Sequence, residues 1–504
     1  MNITKTENGE VAFQTTQDLC LDFFTKITRD APVSVILSSF VDAWNQDQHK
    51  ALQVLLNFRD PRGGKGEKKI SRILFLLLKK ECSVLYGSLL PLFVRYGCWK
   101  DLLHVCEMDP YNCSWEVSLF VQQLRLDKDA ESPSLCAKWA PSEGSHFDKE
   151  PLRLVRKIRN GLGLSPKAYR KLIGKLRHKL HITEHLMSTK QWRALYFSSI
   201  PSRCHALYRK AFQRGENAKK VVDERRITEL VQPYELYLSQ LKTGTTTIKS
   251  SGIHPHEIAK EILLSPDPVL EAQWNEIVKK TKSFGTFDQA LAVVDVSSSM
   301  SGQPMDVAIA LGALVSECSL GCFHNLVITF HESPQAVLLD GDLHTRLNMI
   351  RALPWGYNTN IEKVFHLILQ KAIQHKIAPR QMIRKLFIFT DMQFDEVNGG
   401  EPIPTFKKFE QLYNRHGYEL PQIVCWNLRT SANDCLPVEK DDNGVCLLSG
   451  FSNELLKSVM EMEEFTPSTL LGHVLAPYVV PELPRMPITL TEERVLWIEN
   501  SLKK

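Results

Sequence analysis

The sequence predicts a multidomain α + α/β protein: an all-helical, repeat-like N-terminal region followed by a doubly wound, mainly parallel sheet of Rossmann-like build. Three observations predict it. Up to about residue 285, apolar residues recur at spacings of three and four, the period of amphipathic helices. From about 286, uninterrupted apolar runs alternate with helical patterns, as in parallel strands covered on both faces. The charge is also divided: residues 151–220 hold 18 Lys and Arg against Glu184 and Glu216, in a chain whose net charge is only +5.

Taken in order, residues 1–14 are polar and are expected to form a flexible N-terminus. The helical region is expected over 15–285. ALQVLLNF (51–58), KKISRILFLLLKK (68–80), GSLLPLFVRY (87–96) and KDLLHVCE (100–107) read as helices. DPRGGKGE (60–67), MDPYN (108–112) and APSEGS (140–145) read as the turns between them. SPKAYRKLIGKLRHKL (165–180) opens with Ser165 as N-cap and Pro166 at the first helical position. No fixed-period repeat is visible. A series of short amphipathic helices is nonetheless expected to stack as hairpins.

The α/β domain is expected over 286–480, with 481–504 as a C-terminal extension carrying a short helix. Strands are predicted at 290–296, 325–330, 335–339, 385–390, 422–428 and 444–449. Helices are predicted at 305–317, 342–353, 361–374, 406–416 and 453–462. In such sheets ligands bind beyond the carboxyl ends of the central strands. DVSSSM (295–300) lies at one such exit, WGYNTN (355–360) ahead of a helix, and FIFTDMQFD (387–395) at another exit. Together they offer Asp295, Ser297, Ser299, Thr359 and Asp391, a set of hard oxygen ligands. Mg2+ prefers six oxygens and gives up its waters reluctantly. Mn2+ is the other divalent cation this set suits.

Asp-x-Ser-x-Ser, then Thr, then Asp, on these elements, resembles the metal-ion-dependent adhesion site of von Willebrand factor type A domains. The resemblance covers 286–480. It implies that Ser297, Ser299 and Thr359 bind the metal directly, and Asp295 and Asp391 directly or through water. It further implies an open coordination position for a partner's acidic side chain. Asn360 stands where many relatives have Asp. No catalytic residue is predicted: a G-x-S-x-G elbow is absent, and nothing brings His324 or His331 to the serines.

NFRDPRGGKGEKK, YGCWKDLL, KWAPSEG, YRKLIGKLR, QWRALYFSSIPSR and DVSSSMSGQPMDVAIALG together resemble the domain-of-unknown-function family twenty-eight twenty-eight (DUF2828), over roughly 10–480. That layout is similar in turn to the TROVE-module Ro autoantigen, whose helical ring binds small structured and misfolded RNAs. The analogy implies RNA as a partner, and the basic stretch offers residues for it. Lys167, Arg170, Lys171, Lys175, Arg177, Lys179, Arg203 and Arg209 are candidates for phosphate contacts. Tyr169, Trp192, Tyr196 and Tyr208 are interleaved aromatics suited to stacking bases. RDPRGGKGEKK lacks the G-x-x-x-x-G-K-[ST] pattern and reads as a glycine turn, with Arg59, Arg62, Lys65, Lys68 and Lys69 as further possible phosphate contacts.

The twelve cysteines show no CxxC pairs and are expected to be reduced. No signal-peptide pattern opens the chain, and the longest apolar run, ILFLLL, is too short to cross a bilayer. An intracellular location, cytoplasmic ahead of nuclear, is therefore expected, without membrane contact. The functional expectation is a non-enzymatic, metal-dependent, RNA-binding scaffold. The alternative is a metal-dependent protein-interaction module without nucleic acid.

Overall fold

The computed structural model describes residues 2–216, 220–285, 287, 289–330, 333–353, 360–396, 405–430 and 435–503. They divide into two compact units. The first comprises Met1–Asn57, Arg62–Glu67 and Ile253–Pro487; the second comprises Phe58–Pro61, Lys68–Gly252 and Ile488–Lys504.

In the first unit β1 (Ile3–Lys5) and β2 (Val11–Phe13) form an antiparallel hairpin. A six-stranded sheet follows from β3 (Ala290–Asp295), β4 (Leu326–Phe330), β5 (Ala336–Leu338), β6 (Lys385–Thr390), β7 (Gln422–Asn427) and β8 (Val445–Ser449). Its order is β5-β4-β3-β6-β7-β8. β5 runs antiparallel to β4, and the other four pairings are parallel. The expected mainly parallel, doubly wound arrangement is what forms. The chain steps outward from β3 to β5 and returns on the other side at β6, so the switch point lies between β3 and β6.

β3 and β6 are buried along their whole length. Leu291, Val293, Leu386 and Ile388 enter one core with Phe365 and Ile368 of the helix Ile361–Gln374 and Phe409 of the helix Thr405–Arg415. Each large apolar side chain buried this way contributes roughly 1.5–3 kcal/mol. The other face carries the helix Gln303–Cys318. A Cβ on Gly312 would lie 2.3 Å from Val294 Cγ2, so glycine is what lets this helix lie against β3.

The expected boundaries need correction. Residues 15–57 and 253–285 read as part of the helical region, yet both pack with the sheet. Asn427 Nδ2 donates to Thr25 O (3.1 Å) and Ser449 Oγ to Phe24 O (2.7 Å), tying the helix Leu19–Lys26 to β7 and β8. Trp274 Nε1 donates to Glu317 (2.8 Å) and Lys280 to Glu454 (2.6 Å), fastening the helix Pro268–Lys282. A doubly wound sheet needs helices on both faces, and these segments supply some of them.

Residues 2–14 were expected to be flexible and instead are tied down. Thr6 Oγ1 donates to Phe394 O (2.6 Å), Glu7 N to Gln393 Oε1 (2.8 Å) and Asn8 Nδ2 to Gln393 O (2.8 Å). Glu396 N donates back to Asn8 O (3.1 Å). Nor is the C-terminus a separate extension. The helix Glu492–Leu502 packs on the helix Lys68–Glu81 of the second unit, where Lys80 Nζ sits 4.4 Å from the centre of the Trp497 ring.

The second unit is helical from Lys68–Glu81 through Gln232–Lys242 and is held partly by buried ion pairs. Arg59 and Arg72 both reach Asp101, at 2.6 and 2.9 Å. Lys79 reaches Glu116 (2.9 Å), which also accepts from Tyr86 (2.7 Å). The GGKGE turn forms as expected, but not as a phosphate contact through Lys65. That side chain is fully buried in the first unit, where its ammonium donates to Phe24 O and Ser449 Oγ and lies 3.9 Å from the Phe24 ring centre. No described helix is long and apolar enough to cross a membrane. All twelve cysteines are free; ten are buried and Cys322 is exposed.

Candidate metal centre and basic helix face

β3 delivers Asp295 to the carboxyl edge of the sheet, and β6, its neighbour across the switch point, delivers Asp391 one residue past Thr390. Asp295 is fully buried, and Ser297 and Asp391 are 2 % and 3 % exposed. Ser297 N donates to Asp295 Oδ1 (2.9 Å) and Thr390 Oγ1 to Oδ2 (2.7 Å), so both carboxylate oxygens are held in place. The Ser297 and Ser299 hydroxyls lie 3.0 Å apart, with Ser299 facing solvent. Gln393 N donates to Asp391 Oδ1 (3.2 Å). Between them Met392 adopts a left-handed backbone with φ 62°, a conformation that costs energy in a residue with a Cβ and often marks functional sites.

Burial, then the neighbouring charge of Asp391, raises the Asp295 carboxyl to about 7 against the pull of its bonds from Ser297 and Thr390. Two carboxylates side by side in a buried site favour a cation between them, because the charge of Asp391 disfavours ionisation of Asp295. Among the described residues no cluster of three His, Cys, Asp or Glu side chains occurs, so a metal here would draw on oxygen donors besides the two carboxylates, such as hydroxyls. Ser297 and Ser299 supply them. The residues present therefore fit a hard divalent cation. Thr359 lies outside the described residues. Asn360 caps the helix Ile361–Gln374, its side-chain oxygen accepting from Lys363 N (3.0 Å), a capping role that Asp would serve equally.

Sequence reasoning missed two neighbours of this edge. Thr390 orients Asp295, and its signal was a hydroxyl at the last position of β6. Arg429, two residues past β7, donates from its guanidinium to Ser299 O at the rim. Only the three-dimensional arrangement of the strand exits reveals it.

In the second unit the helix Pro166–Lys179 starts as expected, Ser165 Oγ accepting from Ala168 N (3.2 Å). Tyr169, Ile173 and Leu176 face inward, while Lys167, Arg170, Lys171, Lys175 and Lys179 are exposed. Several of the eight basic candidates have internal partners. Arg177 donates to Ala137 O (2.9 Å), Ser142 Oγ (2.9 Å) and Ala140 O (2.6 Å) and serves as a brace for the KWAPSEG loop. Arg170 pairs with Glu143, and Arg203 donates to Gly252 O. Arg209 donates to Ala206 O (2.7 Å), and Lys179 to Ala130 O (2.5 Å). Lys167, Lys171 and Lys175 remain as an outward row at helical spacing. Tyr169 and Trp192 are core residues and cannot stack bases; Tyr208 is half-buried against Phe212, and Tyr196 is exposed.

The family models and one relative agree with this layout. The model for "Domain of unknown function (DUF2828)" matches residues 6–109 and 162–287, and that for "Domain of unknown function (DUF7788)" matches 289–472. The chain is similar to "Uncharacterized protein L728" of Acanthamoeba polyphaga mimivirus, 43% identical over 505 residues, which is 95% of this chain and 88% of the relative. The β3 and β6 exits carrying Asp295 and Asp391 thus fall within the second model, and the basic helix within the first. The chain belongs to the DUF2828 family, and in this chain the region that family's model matches is followed by the region matched by the DUF7788 model.

Proposed function

We propose that the chain is a non-enzymatic binding scaffold whose sheet edge, similar to that of a von Willebrand factor type A domain, holds a divalent cation and uses it to capture an acidic side chain of a partner protein. One observation carries this reading: two buried carboxylates, Asp295 and Asp391, adjoin at the switch point, and neither forms an ion pair with a described residue. Mg2+, or Mn2+ in its place, would be held by Asp295, Ser297, Ser299 and Asp391, with Thr359 as the further ligand the motif implies. The cation supplies a positive charge with an exchangeable position, which a carboxylate can fill. The protein's part is to fix the donors: Ser297 N and Thr390 orient Asp295, and Gln393 N orients Asp391.

Calorimetric titration of the full chain with MgCl2 and MnCl2 tests the reading. One cation per chain, lost in Asp295→Ala and Ser297→Ala, is the expected result. Unaltered binding in both variants overturns it.

RNA binding is the second reading, favoured by the exposed row Lys167, Lys171 and Lys175 on one helix face. Ultraviolet crosslinking followed by peptide mapping tests it. Crosslinks in 151–220 support it, and their absence above background returns the chain to a protein-only module.

A further inference from the structure

A cavity of about 890 Å3 opens in the first unit, away from the candidate metal centre. Strand side chains Leu291 and Ile328, both 2 % exposed, form its floor. Ile368 and Ala372 of the helix Ile361–Gln374 form one wall, and Phe323 and Met382 close it. These residues belong to the main core of the sheet. The cavity is therefore a place where that core opens to the surface, with half-buried Leu326, Leu367 and Ile377 along the opening. Its volume falls within the roughly 300–1,000 Å3 of small-molecule sites.

The mouth has one sign of charge. Lys371, Lys376 and Arg380 line it and are exposed, His375 stands with them, and none of the lining residues is acidic. None of the three cations forms an ion pair with a described residue. An apolar interior behind a cationic mouth suits an amphipathic anion such as a long-chain carboxylate, with its chain in the core opening and its head group against the lysines. Each methylene taken from water contributes about 0.8 kcal/mol, and the cations fix the polarity of entry. We propose that this cavity is a fatty-acid site.

Cys322 provides a built-in reporter, since it lines the same cavity and is the one exposed cysteine of twelve. The test uses the full-length protein and the fluorescent fatty acid cis-parinaric acid. Saturable binding at one per chain is expected, at least tenfold weaker in the surface variant K371E/K376E and for the methyl ester. L367W, which fills the opening, should abolish it. Palmitate should slow the reaction of Cys322 with a thiol reagent in the wild-type chain. Equal binding of acid and ester, or unchanged binding in K371E/K376E, overturns the head-group assignment and the proposal with it. Unchanged Cys322 reactivity at saturating palmitate places the acid elsewhere and is equally fatal. The surface variant keeps the test decisive should L367W fail to fold.

Discussion

Asp295→Asn separates a site built for a cation from one that only caps loops. In the metal-free protein the Asp295 carboxyl is raised to about 7, from about 3.9 in the unfolded chain. The folded state therefore binds more protons between these values, and stability falls as pH rises from about 4 to 7. Fully expressed above pH 7, this shift of roughly three units corresponds to about 4 kcal/mol at 1.36 kcal/mol per unit. Asparagine removes that charge. It keeps an acceptor for Ser297 N, but its amide must donate to Thr390 Oγ1, which now donates to Asp295 Oδ2. Reversing that bond offsets about 1 kcal/mol. At pH 8 in EDTA the variant should thus be more stable than wild type by about 3 kcal/mol, and at pH 4 no more stable. Mg2+ should reverse the order, stabilising wild type alone through mass action. Urea unfolding of both proteins at pH 4, 6 and 8, with and without Mg2+, measures all of this. A variant less stable than wild type at pH 8 in EDTA, or stabilised by Mg2+ as wild type is, refutes the reasoning.

Other outcomes follow from the same contacts. Deleting residues 2–14 removes the bonds that hold Gln393, Phe394 and Glu396, and calorimetry should show Mg2+ affinity at least tenfold weaker with unchanged far-ultraviolet circular dichroism. Replacing Lys167, Lys171 and Lys175 together by Glu should lower the salt slope of RNA binding by about 3, roughly one per phosphate contact, and leave Mg2+ affinity unchanged. Arg177→Ala should instead destabilise the fold by about 2–3 kcal/mol in urea, since it abandons three bonds to residues 137–142. Gly312→Ala drives a methyl into Val294 and should cost about 1–3 kcal/mol in a thermal melt.

The strands and the carboxylate pair were legible because their signals are local. A fully buried parallel strand is an unbroken apolar run, and its exit is where the run meets Asp295 or Thr390 and Asp391. What the sequence concealed depends on partners far along the chain. Arg59 meets Asp101 at a separation of 42 residues, Arg177 meets Ala140 at 37, and Lys65 meets Ser449 at 384. A count of basic residues cannot distinguish such cations from those left facing water. The polar N-terminal segment misled for the same reason. Its order comes from bonds to residues 393–396, which no reading of residues 1–14 alone contains.

This difference also bears on where the activity lies. The phrases of the helical half that look most like ligand sites close on one another. Arg59 of NFRDPRGGKGEKK pairs with Asp101 of YGCWKDLL, and Arg177 of YRKLIGKLR braces KWAPSEG. Each places opposite or complementary groups together, which is what burying a charge requires if the fold alone is to be served. DVSSSM and FIFTDMQFD do the reverse. They bring two like charges, Asp295 and Asp391, into one buried edge, where neither forms an ion pair with a described residue. Such an arrangement weakens the metal-free fold, and a sequence selected for stability alone would have neutralised one of the two. The cost makes sense where a cation is meant to arrive, and it makes the sheet edge the first place to look for a partner.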